Sequence, residues 1–191
     1  MKLETLLTQN RSTIVKKWLD QILDTYPADT HKFFKKQKNQ FANPVGYTLS
    51  EEIDRLYMEL LRGVNSDRAT PILDRIIRIR AVQDFSPSQA VGFIFLLKGI
   101  IREKLETKIR ENRLSDELTM FESRIDDLAL LAFEVYMRCR EKLYEIRANE
   151  TKNQVYRLLK RADLICEIPE WEPVSKKGKI DNLPVIHNET R

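Results

Sequence analysis

The sequence predicts an all-α protein, a helical bundle ending in a long C-terminal helix. Only five of the 191 residues are glycine, and no Asn-Gly or Asp-Gly pair is present to turn a β-hairpin. Apolar residues recur at helical rather than alternating spacing along most of the chain. Hydrophobic residues make up 42% and charged residues 32%, a balance that suits one buried core with a solvated surface and needs no disulfide or metal to hold it.

The first helix is expected from about Leu3 or Ser12 to Tyr26, its stripe drawn by Ile14, Val15, Trp18, Leu19, Ile22 and Leu23 before Pro27 stops it. Trp18 belongs to that stripe and reads as a core anchor. Residues 27–37 suit a short helix carrying Phe33 and Phe34. The loop from Asn39 to Gly46 follows, with Phe41 tucked onto the domain. Thr48-Leu49-Ser50-Glu51 has the form of a capping box, so a helix is expected to begin there, bury Ile53, Leu56, Tyr57, Leu60 and Leu61, and end at Gly63 in a left-handed cap. The next helix is expected to start near Pro71, with Thr70 as its N-cap, and to run to about Val82.

Ser86-Pro87-Ser88-Gln89 is a second helix start, with a serine cap, proline at the first position and glutamine placed to return a hydrogen bond. The helix after it is apolar on nearly all sides from Val91 to Leu97 and is expected to be central. Gly92 and Gly99 share a face and would admit another helix at close range. The last helix begins near Ser115 and extends toward Leu164, with Ile125, Leu128, Ala132, Val135, Cys139, Leu143 and Ile146 as its buried seam. The pattern lapses over Arg147 to Gln154 and resumes at Val155, Leu158, Leu159 and Ala162. Some fifty helical residues would span roughly 75 Å, more than a domain of this size can cover. The distal part, about 147–166, therefore either projects and buries its stripe against a second copy or folds back at a kink. We favour the homodimer, with Val155, Leu158, Leu159 and Ala162 at its interface. Residues 1–166 are thus read as the helical domain and 167–191, rich in proline and lysine, as a disordered or partner-binding tail.

Polar residues crowd the junction between the fourth and fifth of these elements. If Ile72, Ile76 and Ile79 form a buried stripe, Gln83 continues it and Arg80 lies at its edge, with Arg78, Asp84 and Gln89 close by. Polar groups turned toward a core need partners. One reading is a helix-junction lock in which Arg80 pairs with Asp84 one turn on. The other is a receiving site for a small-molecule signal, formed by Arg78, Arg80, Gln83, Asp84 and Gln89.

The net charge is only +4, because 33 basic residues are offset by 29 acidic ones. Charges of both signs alternate along the helices, which argues against a nucleic-acid partner. The basic run Lys32 to Lys38 is short and broken by aromatic residues. No window has the apolar length of a membrane span or a signal peptide. Cys139 and Cys166 match no metal or redox spacing, so a reducing cytoplasm is the expected location and Cys139 reads as inert core. Phosphate loops, nucleophile elbows and zinc motifs are missing, and the only histidines are His31 and His187. A histidine beside aromatics, as His31 is, more often sits on a surface than on a haem iron. We expect no enzyme, no cofactor and no metal.

Four segments carry a family resemblance: NRSTIVKKWLDQILDTYP, KNQFANPVGYTLSEEI, IRIRAVQDFSPSQAVGFIFLLK and FEVYMRCREKLYEIRANETKNQVYRLLKRADL. In these the chain resembles the N-terminal sensory domain of the RsbT co-antagonist proteins, the RsbRD-like group of bacterial stress-signalling regulators. The resemblance implies an all-helical, commonly dimeric sensory module related to the non-haem globins, whose final helix leads toward an output domain such as a STAS domain or a kinase. No such output domain follows here, which leads us to expect a stand-alone sensory or regulatory domain acting on a separate protein partner. The alternative from another class is a constitutive adaptor that recruits partners through its distal helix and the Glu167 to Arg191 tail.

Overall fold

The computed structural model describes residues 2–26, 41–83, 85–162 and 164. His31, Phe33, Phe34, Asp84, Cys166, the tail and His187 lie outside the described residues. Six α-helices follow one another with no strand among the described residues: α1 Leu3–Gln9, α2 Arg11–Leu23, α3 Pro44–Arg62, α4 Ser66–Val82, α5 Pro87–Glu111 and α6 Ser115–Arg161. The all-α class and the long last helix are as expected. None of these helices is long and apolar enough to cross a membrane.

The first helical segment is divided. At Asn10 the side-chain Nδ2 and the backbone N–H both donate to the Leu6 carbonyl, at 2.8 Å and 3.1 Å. Asparagine closes a turn this way in competition with helix continuation, so α1 ends and α2 begins at once. On α2, Ile14, Trp18, Ile22 and Leu23 are buried as the spacing predicts, and the Trp18 indole N–H donates to the Phe93 carbonyl at 2.7 Å. Phe41, expected to be tucked in, is 93% exposed.

Two helix starts fall earlier than the sequence motifs suggested. Helix α3 begins at Pro44, capped by Asn43, whose side-chain oxygen accepts the Gly46 N–H at 2.8 Å. Asn43-Pro44, which falls within the expected loop, is therefore a cap followed by a residue whose φ is already helical, and Thr48–Glu51 lies inside the helix. Helix α4 begins at Ser66, with the Asn65 side chain accepting the Arg68 N–H at 3.2 Å. Pro71 sits inside it and forfeits a single backbone bond. The Ser86 start is as expected: Gln89 N–H donates to Ser86 Oγ at 3.3 Å and the Gln89 side chain accepts the Ser86 N–H at 3.0 Å. At the end of α3, Gly63 takes φ +88° with ψ 122°, a positive-φ conformation suited to glycine but outside the left-handed helical region.

The core draws on every helix, centred on Trp18, Tyr57, Phe93 and the isoleucines and leucines around them. On α6 the expected seam holds from Ile125 to Val135. Cys139 and Leu143 are partly buried against the core, and Ile146 is exposed. The close approach expected at Gly92 and Gly99 does not occur, for a Cβ on either would meet nothing within 4 Å.

The chain divides into two compact units, residues 1–149 and 150–191. The core described above belongs to the first. In the second, the described residues continue α6 to Arg161, and Val155, Tyr156, Leu158 and Leu159 on it are exposed.

Candidate functional site

The polar junction is built around Arg80, which is fully buried. The buried stripe of α4 is Ala69, Leu73, Ile76, Ile77, Arg80 and Ala81, so Arg80 is part of the stripe and not at its edge. Gln83, expected to continue that stripe, is exposed. Helix α4 stops at Val82, so Gln83 is its C-cap and does not extend the stripe.

Arg80 ties three segments together. Its Nη2 donates to Thr25 Oγ1 at 3.1 Å, just past α2, and to the Gln89 carbonyl at 3.0 Å, in the first turn of α5. The guanidinium carbon lies 4.4 Å from the Phe85 ring centroid and 5.4 Å from those of Tyr26 and Phe93. Tyr26 and Phe85 meet edge to face at 5.2 Å. An aromatic enclosure of this kind offers a desolvated cation the negative faces of its rings. Burial nonetheless pulls the Arg80 pKa below its ordinary value, partly offset by Tyr26, and burial raises the Tyr26 phenol.

Helix α6 reaches the same junction from the other side. The Tyr136 hydroxyl donates to the Phe85 carbonyl at 2.8 Å. One turn on, Arg140 donates to the Ala81 carbonyl at 3.3 Å and to the Tyr144 hydroxyl at 2.9 Å. The Ala81 carbonyl is one that the end of α4 leaves without an intrahelical donor, and the Phe85 carbonyl lies in the link to α5. The sequence reading missed Tyr136 and Arg140. Their i, i+4 spacing shows that they share a face but not that carbonyls lie opposite.

Of the five expected site residues, Arg80 and Gln89 are brought together, the latter through its backbone. Arg78 points away: it pairs with Asp74 at 2.7 Å and lines an open groove of about 560 Å³ between α4 and α6. Pro71, Ala81, Val82, Val135, Leu143 and Ile146 make this groove apolar, and Arg78, Arg138 and Lys142 bring positive charge to it. Cys139 also lines it, with Sγ 3.7 Å from Asp74 Oδ1, so this cysteine is half-buried in a groove wall and not core. Burial, then the Asp74 carboxylate, pushes its thiol pKa up, which makes it a weak nucleophile. Among the described residues no three His, Cys, Asp or Glu side chains are grouped to hold a metal.

A second set of residues passed unnoticed in the sequence. Glu52 and Glu59 on α3 are 4% exposed and bond to Arg75 and Arg68 on α4, at 2.6 Å and 3.0 Å. Glu59 also accepts the Asn65 N–H at 3.1 Å. Burial alone would raise the Glu59 pKa, but Arg68 and the Asn65 amide outweigh it and hold the carboxyl below its usual value. The signal was present: 52 and 59 are seven apart, as are 68 and 75, the spacing of facing rungs on antiparallel helices.

The described residues thus form an all-α body whose polar junction is clamped by the long helix α6. The chain belongs to the family described as the RsbT co-antagonist protein rsbRD N-terminal domain, which it matches over residues 12–151. This is a family of sensory and regulatory domains. The chain is also 25% identical over 155 residues to an uncharacterised protein of Archaeoglobus fulgidus, covering 81% of this chain and 93% of that one. No solved structure matches, so the expected relation to globins has no solved counterpart.

Proposed function

We propose that this protein acts as a sensory or regulatory domain of the RsbT co-antagonist N-terminal type. It passes a change of packing at residues 81–89 to a separate protein partner and catalyses no reaction. The observation that carries this reading is the pair of hydrogen bonds from Tyr136 and Arg140 to the Phe85 and Ala81 carbonyls. A signal that favours a second packing of the junction must break or re-form those bonds. The element that makes them is one continuous helix running on to Arg161. Arg80 holds the junction in the packing described here, through Thr25 and Gln89.

The chain acts as a cytoplasmic homodimer through the stripe Val155, Leu158, Leu159 and Ala162. The exposure of the first three of these, at 48%, 63% and 39%, supports the reading, since large apolar residues at helical spacing on one exposed segment are those a partner covers. Leu158→Asp should convert a dimer to a monomer in light scattering, and a monomeric wild-type protein would remove this part of the proposal.

Hydrogen exchange tests the mechanism. Arg80→Met should speed exchange at 81–89 and also alter it at 150–161 in the wild-type background. With Tyr136→Phe and Arg140→Met added, the effect at 81–89 should remain and the effect at 150–161 should vanish. No response at 150–161 in either background would sink the reading.

A further inference from the structure

We propose that the groove between α4 and α6 binds a free, single-chain amphiphile with an anionic head, a fatty carboxylate being the simplest, with the head at Arg138 and the chain along Leu143, Val135 and Val82. The groove's walls suit an apolar chain, and its volume of about 560 Å³ lies within the roughly 300–1,000 Å³ of small-molecule sites. Along α4 it runs from Pro71 to Val82, about 17 Å of helix.

The charge around it is one-sided. Arg78, Arg138 and Lys142 line it against a single carboxylate, Asp74. That carboxylate is held by Arg78 at 2.7 Å, and Lys142 bonds outward to Glu145 at 3.1 Å. Arg138 forms no ion pair among the described residues, which leaves its planar fork to meet a carboxylate.

Shape separates this ligand from two others of like charge. An acidic helix is about 10 Å or more across with its side chains, whereas a single extended chain is narrow enough to lie along the floor of a groove of about 560 Å³. A membrane surface would demand a protruding apolar face, whereas this one is recessed between two helices.

The wall of the groove is also the end of the junction. Ala81, which lines it, carries the carbonyl that accepts from Arg140, so a chain lying against Ala81 and Val82 presses where α4 and α6 are bonded. The proposal rests on the sensory reading only in making this ligand the signal. Binding is independent of it.

Cys139 provides the test. In the full-length Cys166→Ser variant it is the sole thiol, and its alkylation by N-ethylmaleimide at pH 8 reports access to the groove. Dodecanoate below its micellar concentration should slow alkylation saturably, by tenfold or more. Dodecyltrimethylammonium and acetate should not. Arg138→Glu should abolish the protection, and Lys142→Glu should weaken it and provides a second variant if the first fails to fold by circular dichroism. Three results would each overturn the proposal: no protection by dodecanoate, equal protection in both charge-reversed variants, or protection by phosphatidylglycerol vesicles but not by the free acid. Saturable protection with unchanged hydrogen exchange at 150–161 would uphold the site and count against the sensory reading.

Discussion

Helix α4 meets its two neighbours in opposite ways. On the side of α3 it buries Leu73, Ile76 and Ile77 and is tied by the Glu52–Arg75 and Glu59–Arg68 pairs. Against α6 it leaves a groove, bonded at one end by Arg140 to Ala81 and rimmed by exposed arginines and a lysine. The first contact has no room to rearrange, because close-packed side chains with bonded carboxylates have one low-energy arrangement. The second has few apolar atoms to lose, and is therefore the side on which a small free-energy difference can select between packings.

The contrast predicts a graded set of effects. Ile76→Ala, on the closed side, should cost about 2–5 kcal/mol in urea unfolding, because it opens a cavity in a packed core. Val82→Ala, in the groove and 59% exposed, should cost under about 0.5 kcal/mol. Equal losses would break the distinction between the two faces.

The junction lies between the two faces, and its single buried cation can be probed by volume. Arg80→Ala should cost about 3 kcal/mol, through the lost ring contacts, the two lost hydrogen bonds and the void. Arg80→Met fills that space and removes the desolvation penalty, so it should cost under about 1 kcal/mol. If both variants are equally damaging, the charge itself is indispensable to folding.

The ion-pair rungs predict a pH dependence. The Glu59 carboxyl sits below its usual value in the folded state, so its contribution is fully present above the unfolded carboxylate range and is lost as pH falls through the lower folded value. Glu59→Gln should cost about 1 kcal/mol at pH 7, since solvent screens the pair on the exposed Arg68 side. The gap between variant and wild type should close in acid, and a gap constant from pH 7 to pH 3 would contradict the assignment.

One small effect should be a gain. Because a Cβ at Gly92 would meet nothing within 4 Å, Gly92→Ala should stabilise α5 by roughly 0.5–1 kcal/mol. A loss instead would show that something packs there after all, as the sequence had suggested.

The existence of the helices was legible from residue spacing, and the Ser86 cap from its own four residues, because those signals act within a turn or two of chain. The starts of α3 and α4 were misplaced for a local reason too. Thr48–Glu51 and Thr70–Pro71 are valid starts in isolation, but Asn43-Pro44 and Asn65 cap the same helices earlier, and a helix once nucleated runs through weaker signals. Phe41 was misjudged because hydrophobicity alone does not say whether a surface is near enough to cover a side chain.

The site was half legible. Periodicity marked the region around Arg80 as one where polar residues approach an apolar face, but it set Gln83 inside and Arg80 at the edge. Where α4 ends decides between them, and so do the rings of Tyr26, Phe85 and Phe93, which come from three separate segments. By itself the sequence determined the all-α class, the stripes and the family resemblance, all properties of neighbouring residues. Only the tertiary structure brought Tyr136 and Arg140 to the carbonyls of the junction, and opened the groove that Arg78, Arg138 and Lys142 line. Those relations join residues some fifty or sixty positions apart, and distance along a chain carries no direction in space until the helices have packed.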